Sequence, residues 1–147
     1  MSRIATLTRG SSVETFTLSG IEDWSNVAKR VRPVLMPGSI VTLSGPLGAG
    51  KTTFVQILAK ELGVQSIPRS PTFTLMRAYR LPKDLRGITR IVHIDAYRIE
   101  DEKDLIVLDL DEELADNKTV LLIEWPEHIP KWLESRKKDI ISIKIEL

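Results

Sequence analysis

Apolar and polar residues alternate near both ends of the chain, and this alternation predicts strands. In residues 11–18 polar and apolar side chains take turns, which is typical of a half-buried strand, and residues 4–7 supply a segment that can pair with it. Residues 140–147 alternate in the same way and predict a final strand. Both ends of the chain are therefore expected to contribute strands to a sheet.

Three apolar runs in the middle of the chain are continuous instead of alternating. They span residues 39–44, 88–94 and 119–123 and are rich in isoleucine, valine and leucine. Continuous runs of this kind are typical of strands that are covered on both faces. An extended segment is also expected up to Tyr79, before a turn region at residues 82–87.

The spacing of apolar residues predicts a first helix that begins near Ile21 and ends before Pro33. Ser19 and Glu22 stand three positions apart, which is the spacing of a capping box at a helix start. Further helices are predicted at residues 51–62, closed by Gly63, and at residues 101–116 and 127–138. Strands and helices thus alternate along much of the chain, which favours an α/β architecture.

The composition fits a folded domain of ordinary size. The 147 residues are 42% hydrophobic and 28% charged, with a formal net charge of +1 and no cysteine. A dedicated nucleic-acid-binding domain usually has a marked basic excess, and the lack of cysteine excludes a disulfide framework. No apolar run reaches the ~18–20 residues that span a bilayer. We therefore expect one soluble, cytoplasmic domain over residues 1–147, with no membrane partner.

The phosphate-binding pattern G-x-x-x-x-G-K-S/T occurs at Gly45-Pro46-Leu47-Gly48-Ala49-Gly50-Lys51-Thr52, between a predicted strand and a predicted helix. Glycines allow the backbone to curl around phosphates, so that several N–H groups and the helix N-terminus face the negative charge. Lys51 is expected to reach the β and γ phosphates, and Thr52 to bind Mg²⁺. The alternative is a glycine-rich turn that binds no ligand.

A strand, a phosphate-binding loop and a helix in direct succession are typical of P-loop nucleoside triphosphatases. The predicted fold is therefore α/β: a single P-loop NTPase domain with a largely parallel central sheet and helices on both faces. The expected cofactors are ATP and Mg²⁺, and the expected reaction is ATP hydrolysis.

Two carboxylates, Asp95 and Glu124, follow directly after apolar runs. In an open α/β sheet the carboxyl ends of parallel strands converge on the ligand, so either residue is suited to orient the metal or the attacking water. Spacing alone does not rank the two, and either one alternatively caps a helix or pairs with Arg98. His93 is expected to be a hydrogen-bonded core residue rather than a general base. Trp125 is expected either to pack in the core or to line the nucleotide or partner surface.

Four segments form a more specific combination. They are residues 47–54, the S-P-T-F-T-L run at 70–75, the H-I-D-A-Y-R run at 93–98 and the L-I-E-W-P-E run at 122–127. Together they resemble the bacterial TsaE (YjeE) ATPases of tRNA threonylcarbamoyladenosine biosynthesis, over nearly the whole chain. The chain departs from the family at Pro46, where Asp or a similar polar residue is frequent, because proline offers neither an N–H nor a polar side chain.

The resemblance implies a role for each candidate residue. Thr52 and Glu124 would hold Mg²⁺, and Asp95 would assist hydrolysis together with Lys51. Ser70 and Thr72 would belong to a switch-like loop near the γ phosphate, and Trp125 would lie close to the nucleotide. The expected nucleotide-binding residues are Gly45, Pro46, Leu47, Gly48, Ala49, Gly50, Lys51, Thr52, Thr53, Ser70, Thr72 and Trp125.

The resemblance also implies partner proteins. TsaE proteins work with the TsaD and TsaB proteins, which attach the threonylcarbamoyl group to an adenosine in ANN-decoding tRNAs. The chain would then be an ATPase whose turnover supports cycling of the TsaB–TsaD complex, with tRNA contacted only through that complex. Low activity of the isolated protein is expected where a partner or a moving loop completes the site.

Three other interpretations stay open from the sequence. In a small-molecule or nucleotide kinase, Arg69, Arg77 or Arg80 would clamp the acceptor, although the sequence shows no inserted lid segment. In a nucleotide-gated interaction module, the acidic residues 100–116 or the basic residues 131–138 would form the contact surface. In a tRNA-binding protein, the same basic residues would contact the nucleic acid directly.

Overall fold

The strands of the structure form one sheet. The computed structural model describes residues 2–65 and 76–147, apart from the side chains of residues 106 and 107. The strands are β1 Arg3–Arg9, β2 Ser12–Leu18, β3 Ile40–Ser44, β4 Met76–Leu85, β5 Ile88–Asp95, β6 Thr119–Glu124 and β7 Ile140–Glu146. They lie in the order β2-β1-β7-β3-β6-β5-β4. The predicted strands at both ends of the chain and in the three apolar runs are all present.

The sheet is mixed, which corrects the expectation of a largely parallel one. β7, β3, β6 and β5 run parallel to one another in the centre, whereas β1, β2 and β4 pair antiparallel with their neighbours. Two edge pairs are antiparallel because two-residue turns join β1 to β2 and β4 to β5, and a parallel pair would need a long crossover. Arg86 and Gly87 have positive φ angles of 52° and 92°, as a tight hairpin turn requires.

Helices cover both faces of the sheet, as predicted. Along β6, Val120 and Leu122 belong to one cluster of buried side chains, and Leu121 and Ile123 belong to the other. This alternation follows from the two-residue period of a strand, whose successive side chains point to opposite faces. The first cluster contains residues of α1 Ile21–Val31 and α2 Lys51–Glu61, and the second contains residues of α3 Leu110–Leu114 and α4 Pro130–Ser135.

The start of α1 differs from the predicted capping box. The backbone N–H groups of Ser19 and Gly20 both donate to the carboxylate of Asp23, at N···O distances of 2.7 and 3.2 Å. The helix therefore begins at Ile21, after an extended Gly20, and Asp23 replaces Glu22 as the capping acid. The predicted pairing was wrong by one residue because the chain stays extended through Gly20 before it turns into the helix.

The predicted turn at residues 82–87 is much shorter than expected. β4 continues through Pro82 as far as Leu85, and only Arg86 and Gly87 form the turn. Proline is tolerated here because β4 lies at the edge of the sheet, where its missing N–H costs no ladder hydrogen bond. The register with β5 shifts between Arg80 and Leu85, so the strand is irregular around the proline.

Two predicted helices are divided into shorter pieces. Residues 101–116 form the 3-10 helix Glu102–Val107 and then α3, because Asp109 adopts a left-handed φ of 44° between them. Residues 127–138 contain α4, which the 3-10 helices Pro126–His128 and Lys137–Asp139 flank. Within the described ranges, no helix combines the length and apolar character that a membrane crossing demands.

Candidate functional site

The glycine-rich loop at residues 45–50 joins the end of β3 to the start of α2. Gly45, Gly48 and Gly50 have φ angles of 154°, 76° and 106°, which side-chain-bearing residues rarely adopt. A Cβ at Gly50 would lie 2.8 Å from the ring of Trp24, and one at Gly45 would lie 3.0 Å from the carbonyl oxygen of Ile145. Two of the glycines are thus required both by their backbone angles and by close neighbours.

The remaining residues of the loop differ in exposure. Pro46, Leu47 and Gly48 face solvent, whereas Ala49 is buried. The Ala49 N–H donates to the carbonyl of Pro46 at 3.1 Å and closes a turn inside the loop. Pro46 takes part in this turn as an acceptor, through its carbonyl oxygen. Its lack of an N–H therefore removes no hydrogen bond from the turn.

Lys51 lies across the loop at the start of α2. Its residue is only 5% exposed, and its ammonium contacts the carbonyl oxygens of Gly45 and Pro46. The ammonium also lies 3.6 Å from the centroid of the Trp125 ring, within the range of a cation–π contact. Burial lowers the pKa of Lys51, and nearby carboxylates, chiefly that of Glu124, partly oppose this shift. The site therefore places a cation where negative charge would stabilise it.

Glu124 and Thr52 meet beside this lysine. The Thr52 hydroxyl donates to the Glu124 carboxylate, and its oxygen lies 3.1 Å from each carboxylate oxygen. The parallel register pairs Glu124 with Leu43 of β3, immediately before the loop, which brings the end of β6 next to the start of α2. Glu124 is 3% exposed, so its charge is almost fully removed from solvent. The structure thus brings together the two residues that the resemblance assigned to magnesium.

Asp95 lies beside Glu124, where the parallel strands β5 and β6 end. It pairs with Glu124 in the parallel register of β5 and β6, so the two predicted carboxylates are neighbours. Its Oδ1 accepts a hydrogen bond from the Tyr97 N–H at 3.0 Å. Burial lowers the pKa of Lys51, and the charge of Asp95 opposes this shift less than the charges of Glu124 and Glu127 do. The structure thus places both acids at the carboxyl ends of neighbouring parallel strands, and of the two, Glu124 makes the contact with Thr52.

His93 is the hydrogen-bonded core residue that the sequence predicts. It is 0% exposed, and its Nε2 lies 2.6 Å from Oε2 of Glu124. Its Nδ1 has no hydrogen-bond partner among the residues that the structure describes. Sequence reasoning did not connect His93 with Glu124, because the two residues are 31 positions apart and only the pairing of β5 with β6 brings them together.

Trp125 belongs to an aromatic group beside the loop that the sequence did not predict. Its ring centroid lies 4.9 Å from that of Tyr97 and 5.7 Å from that of His128. Tyr97 is 45% exposed, while Trp125 and His128 are half-buried, and His128 Nδ1 bonds to the Ala96 carbonyl at 2.7 Å. His128 supports this group through its contacts with the Trp125 ring and the Ala96 carbonyl. The aromatic content of the H-I-D-A-Y-R and L-I-E-W-P-E segments was the available signal.

The other predicted site residues are placed as follows. Thr53 is half-buried in the first turn of α2, next to Thr52. Ser70 and Thr72, like Arg69, lie outside the described residues. The loop borders a cavity of about 470 Å³ that Trp125 and the end of β7 also line. The described part of the chain thus leaves open space next to the glycine-rich loop.

The residues present fit magnesium that is shared with phosphate. The described ranges contain no group of three or more His, Cys, Asp or Glu residues that could hold a metal ion by themselves. Magnesium in phosphate sites keeps several waters and takes only one or two protein oxygens together with phosphate oxygens. Thr52 and Glu124 supply such a pair of oxygen donors, 3.1 Å apart. The donor set therefore suits a Mg²⁺–nucleotide complex.

Comparison with known proteins gives concordant results. The family model described as "Threonylcarbamoyl adenosine biosynthesis protein TsaE" matches residues 18–147. The tRNA threonylcarbamoyladenosine biosynthesis protein TsaE of Bacillus subtilis is 37% identical over 120 residues, which are 82% of this chain and 71% of that protein. The protein of the same name from Aquifex aeolicus is 38% identical over 112 residues, 75% of this chain and 74% of that one.

A third relative and a solved structure extend these similarities. TsaE of Mycobacterium tuberculosis is 37% identical over 132 residues, 86% of this chain and 76% of that protein. The crystal structure of Bacillus subtilis YdiB superposes with a TM-score of 0.58 at 28% sequence identity, and the match covers 98% of this chain and 78% of that one. Since the family model and several relatives cover most of its length, the chain belongs to the TsaE family.

Proposed function

We propose that the protein is a magnesium-dependent P-loop ATPase that acts in the formation of threonylcarbamoyladenosine in tRNA. One observation carries the proposal: the Thr52 hydroxyl lies against the Glu124 carboxylate at 3.1 Å, directly beside Lys51 and the glycine-rich loop. The names of the relatives, which are tRNA threonylcarbamoyladenosine biosynthesis proteins, support the pathway. Hydrolysis of ATP is the reaction that this combination of loop, cation and carboxylates suits best.

The loop and Lys51 would bind the phosphates of ATP. Backbone N–H groups at the start of α2 and in the loop can donate to phosphate oxygens, and the positive glycine φ angles allow the backbone to come close. The Lys51 ammonium, which now contacts the carbonyl groups of Gly45 and Pro46, would exchange them for phosphate oxygens. A buried ammonium gains more from a charged partner than from a neutral carbonyl, so this exchange favours the triphosphate.

Thr52, Glu124 and Asp95 would serve the reacting end of the triphosphate. Bound Mg²⁺ would neutralise charge on the phosphate oxygens, and Thr52 and Glu124 supply the protein oxygens that suit it. Asp95, the neighbour of Glu124 in the sheet, would accept a hydrogen bond from the attacking water and orient it. The phosphoryl group would pass to this water, giving ADP and inorganic phosphate.

The isolated protein would be a slow ATPase that its partners stimulate. The part of the site that the structure describes is open, with Leu47 69% and Tyr97 45% exposed beside the loop. A site open to water has weak electrostatic stabilisation of transition-state charge, and a docked partner would exclude that water. We propose the TsaB and TsaD proteins as these partners. The net charge of +1 supports indirect rather than direct contact with tRNA.

The first test measures phosphate release from ATP with and without Mg²⁺. Lys51→Ala and Glu124→Gln are each expected to lower kcat at least about a hundredfold, because each removes a charge that contacts the reacting phosphates or their metal. Glu134→Gln, the same chemical change at an exposed position of α4, is the control and should match the wild type. Unaltered turnover in Lys51→Ala would refute the ATPase proposal. A phosphorylated acceptor without free phosphate would instead indicate a kinase.

The second test asks whether nucleotide controls assembly. Purified TsaB and TsaD are used to capture the protein without nucleotide, with ADP and with a non-hydrolysable ATP analogue, all with Mg²⁺. We expect capture to change at least about tenfold between the nucleotide states, which corresponds to a coupling free energy of about 1.4 kcal/mol. Lys51→Ala should lose this dependence on nucleotide. Absence of capture in every nucleotide state would contradict the proposed partners.

A further inference from the structure

We infer that His93 is a positioning residue, which holds the Glu124 carboxylate in the orientation that the site beside Thr52 requires. The inference rests on the proposed function, because it concerns the residue that would serve the metal. It goes beyond the sequence-based expectation, in which His93 was a core residue without a role in the reaction. Three observations carry it: the short contact between the two side chains, their shared burial, and the place of Glu124 between His93 and Thr52.

The three side chains form a continuous hydrogen-bonded row. Nε2 of His93 lies 2.6 Å from Oε2 of Glu124, and both carboxylate oxygens lie 3.1 Å from the Thr52 hydroxyl oxygen. His93 is held in the central strand β5, Glu124 in β6 and Thr52 in the first turn of α2. Each member therefore comes from a different, well-packed element, so the row has little freedom to rearrange once the sheet is formed.

The direction of each hydrogen bond follows from the chemistry of the carboxylate. A carboxylate that serves a metal ion is ionised and can only accept hydrogen bonds, so in that state Nε2 of His93 carries the hydrogen that Glu124 receives. The Thr52 hydroxyl donates to the same group, and its oxygen keeps lone pairs for a metal ion. Because both His93 and Thr52 donate to it, the Glu124 carboxylate is restricted in its rotation. Hydrogen bonds of this kind orient metal-binding carboxylates and imidazoles in many metal sites.

Packing alone does not explain why a histidine occupies position 93. The residues next to it in β5, Val92 and Ile94, are apolar and fully buried, and His93 itself is 0% exposed. A leucine would fill a similar volume without a nitrogen such as Nδ1, which lacks a partner among the described residues. A buried polar atom without a partner destabilises the fold. The bond to Glu124 is the interaction that offsets this cost, which ties the histidine to the function of the carboxylate.

Three variants separate positioning from packing. His93→Leu removes the donor, whereas His93→Gln keeps an N–H that can reach Glu124. Ile91→Val, two residues earlier on β5 and in the same core cluster as α2, is the packing control. The affinity of the protein–ADP complex for Mn²⁺, a spectroscopic substitute for Mg²⁺, is measured by electron paramagnetic resonance. We expect His93→Leu to weaken it about tenfold or more, and the other two to stay within about threefold of the wild type.

A double-mutant cycle tests whether His93 acts through Glu124. In the Glu124→Gln background, His93→Leu should cause little further loss of Mn²⁺ affinity, because the carboxylate that it positions is already absent. Independent, additive losses would overturn the inference. Steady-state kinetics supply a second readout: His93→Leu should raise the Mg²⁺ concentration for half-maximal ATPase activity about tenfold, while His93→Gln restores it.

The possible results distinguish the inference from the proposed function. A wild-type protein that binds neither nucleotide nor Mn²⁺ would refute the proposed function itself. Wild-type binding with unchanged affinity in His93→Leu, or a loss that His93→Gln fails to restore, would refute only the positioning role. If His93→Leu does not fold, His93→Asn replaces it, because its shorter amide cannot reach Glu124. The same tenfold difference is then expected between the asparagine and glutamine variants, and equal affinities would refute the role.

Discussion

Two tryptophan rings constrain the residues at the start of α2. Trp24 of α1 is 5% exposed and lies so close to Gly50 that any side chain at that position would meet its ring. Trp125 lies under the ammonium of Lys51, the next residue along the chain. Each of the first two residues of the G-K-S/T pattern therefore contacts an aromatic ring. The backbone of Gly50 lies close to the Trp24 ring, and the ammonium of Lys51 lies on the Trp125 ring.

The first prediction compares Gly50, which lies against the Trp24 ring, with Gly48, where an added Cβ would have no neighbour within 4 Å. Gly50→Ala should lower the free energy of unfolding by at least about 2 kcal/mol, because alanine is strained at a φ of 106° and its Cβ would lie 2.8 Å from Trp24. Gly48→Ala has only the backbone strain, since nothing lies within 4 Å, and should cost about 1 kcal/mol. Urea denaturation of both variants measures the difference. Equal losses would show that Trp24 does not limit residue 50.

The strands and helices that the sequence predicts match the structure to different degrees, depending on whether the element is buried or exposed. The central strands β3, β5 and β6 follow the apolar runs within about one residue, because burial on both faces leaves an unbroken pattern. β4 extends through Pro82, contrary to the turn signal, because an edge strand tolerates proline. The predicted helix at 101–116 divides at Asp109, whose left-handed φ the apolar spacing does not reveal. Local patterns thus predict buried elements better than exposed ones.

The second prediction concerns the link between α3 and α4. Asp111 Oδ1 accepts hydrogen bonds from Arg136 at 2.8 Å and from Trp132 Nε1 at 3.1 Å. The hydrogen bond from Arg136 is the main cause that lowers the pKa of Asp111 below its ordinary value of 3.8. Because the pair is largely exposed, Asp111→Asn should destabilise the protein by only about 0.5 kcal/mol at pH 7.

The sign of the pH dependence follows from this lowered pKa. A carboxyl group whose pKa is lower in the folded state contributes stability above its unfolded pKa, and this contribution is lost as pH falls through the folded pKa. The difference between wild type and Asp111→Asn should therefore be constant from pH 7 to about pH 5 and shrink below the ordinary value of 3.8. Urea titrations across this range measure it. A difference that grows in acid would contradict the assigned ion pair.

For the whole molecule, the sequence did not predict which neighbouring strands of the sheet run parallel and which run antiparallel. Apolar runs identify β3 and β7 as strands, but whether β7 pairs parallel with β3 and antiparallel with β1 depends on contacts between distant residues. The same limit applies to the site. Local sequence predicts the glycine loop, Lys51 and an acid at a strand end, whereas the bonds from Glu124 to Thr52 and His93 join residues 72 and 31 positions apart.

The last prediction concerns the coupling of nucleotide binding to the stability of the whole fold. Leu43 at the end of β3 and Phe54 in α2 flank the glycine loop, and both are fully buried in the same core cluster. A ligand on the loop should therefore stabilise the whole fold rather than a detached segment. With Mg²⁺-ATP at a hundred times its Kd, the free energy of unfolding should rise by about 2.7 kcal/mol, in a single transition.

Lys51→Ala tests this coupling at the same nucleotide concentration, with each protein compared with its own unliganded form. Because the variant lacks the cation that would bind the phosphates, its unfolding free energy should rise by less than about 0.5 kcal/mol. Glu134→Gln, which is remote from the loop, should keep the full rise. An equal rise in Lys51→Ala would place the nucleotide elsewhere on the molecule. A transition that splits in two, with only one part shifted by Mg²⁺-ATP, would show that the loop is stabilised independently of the core that flanks it.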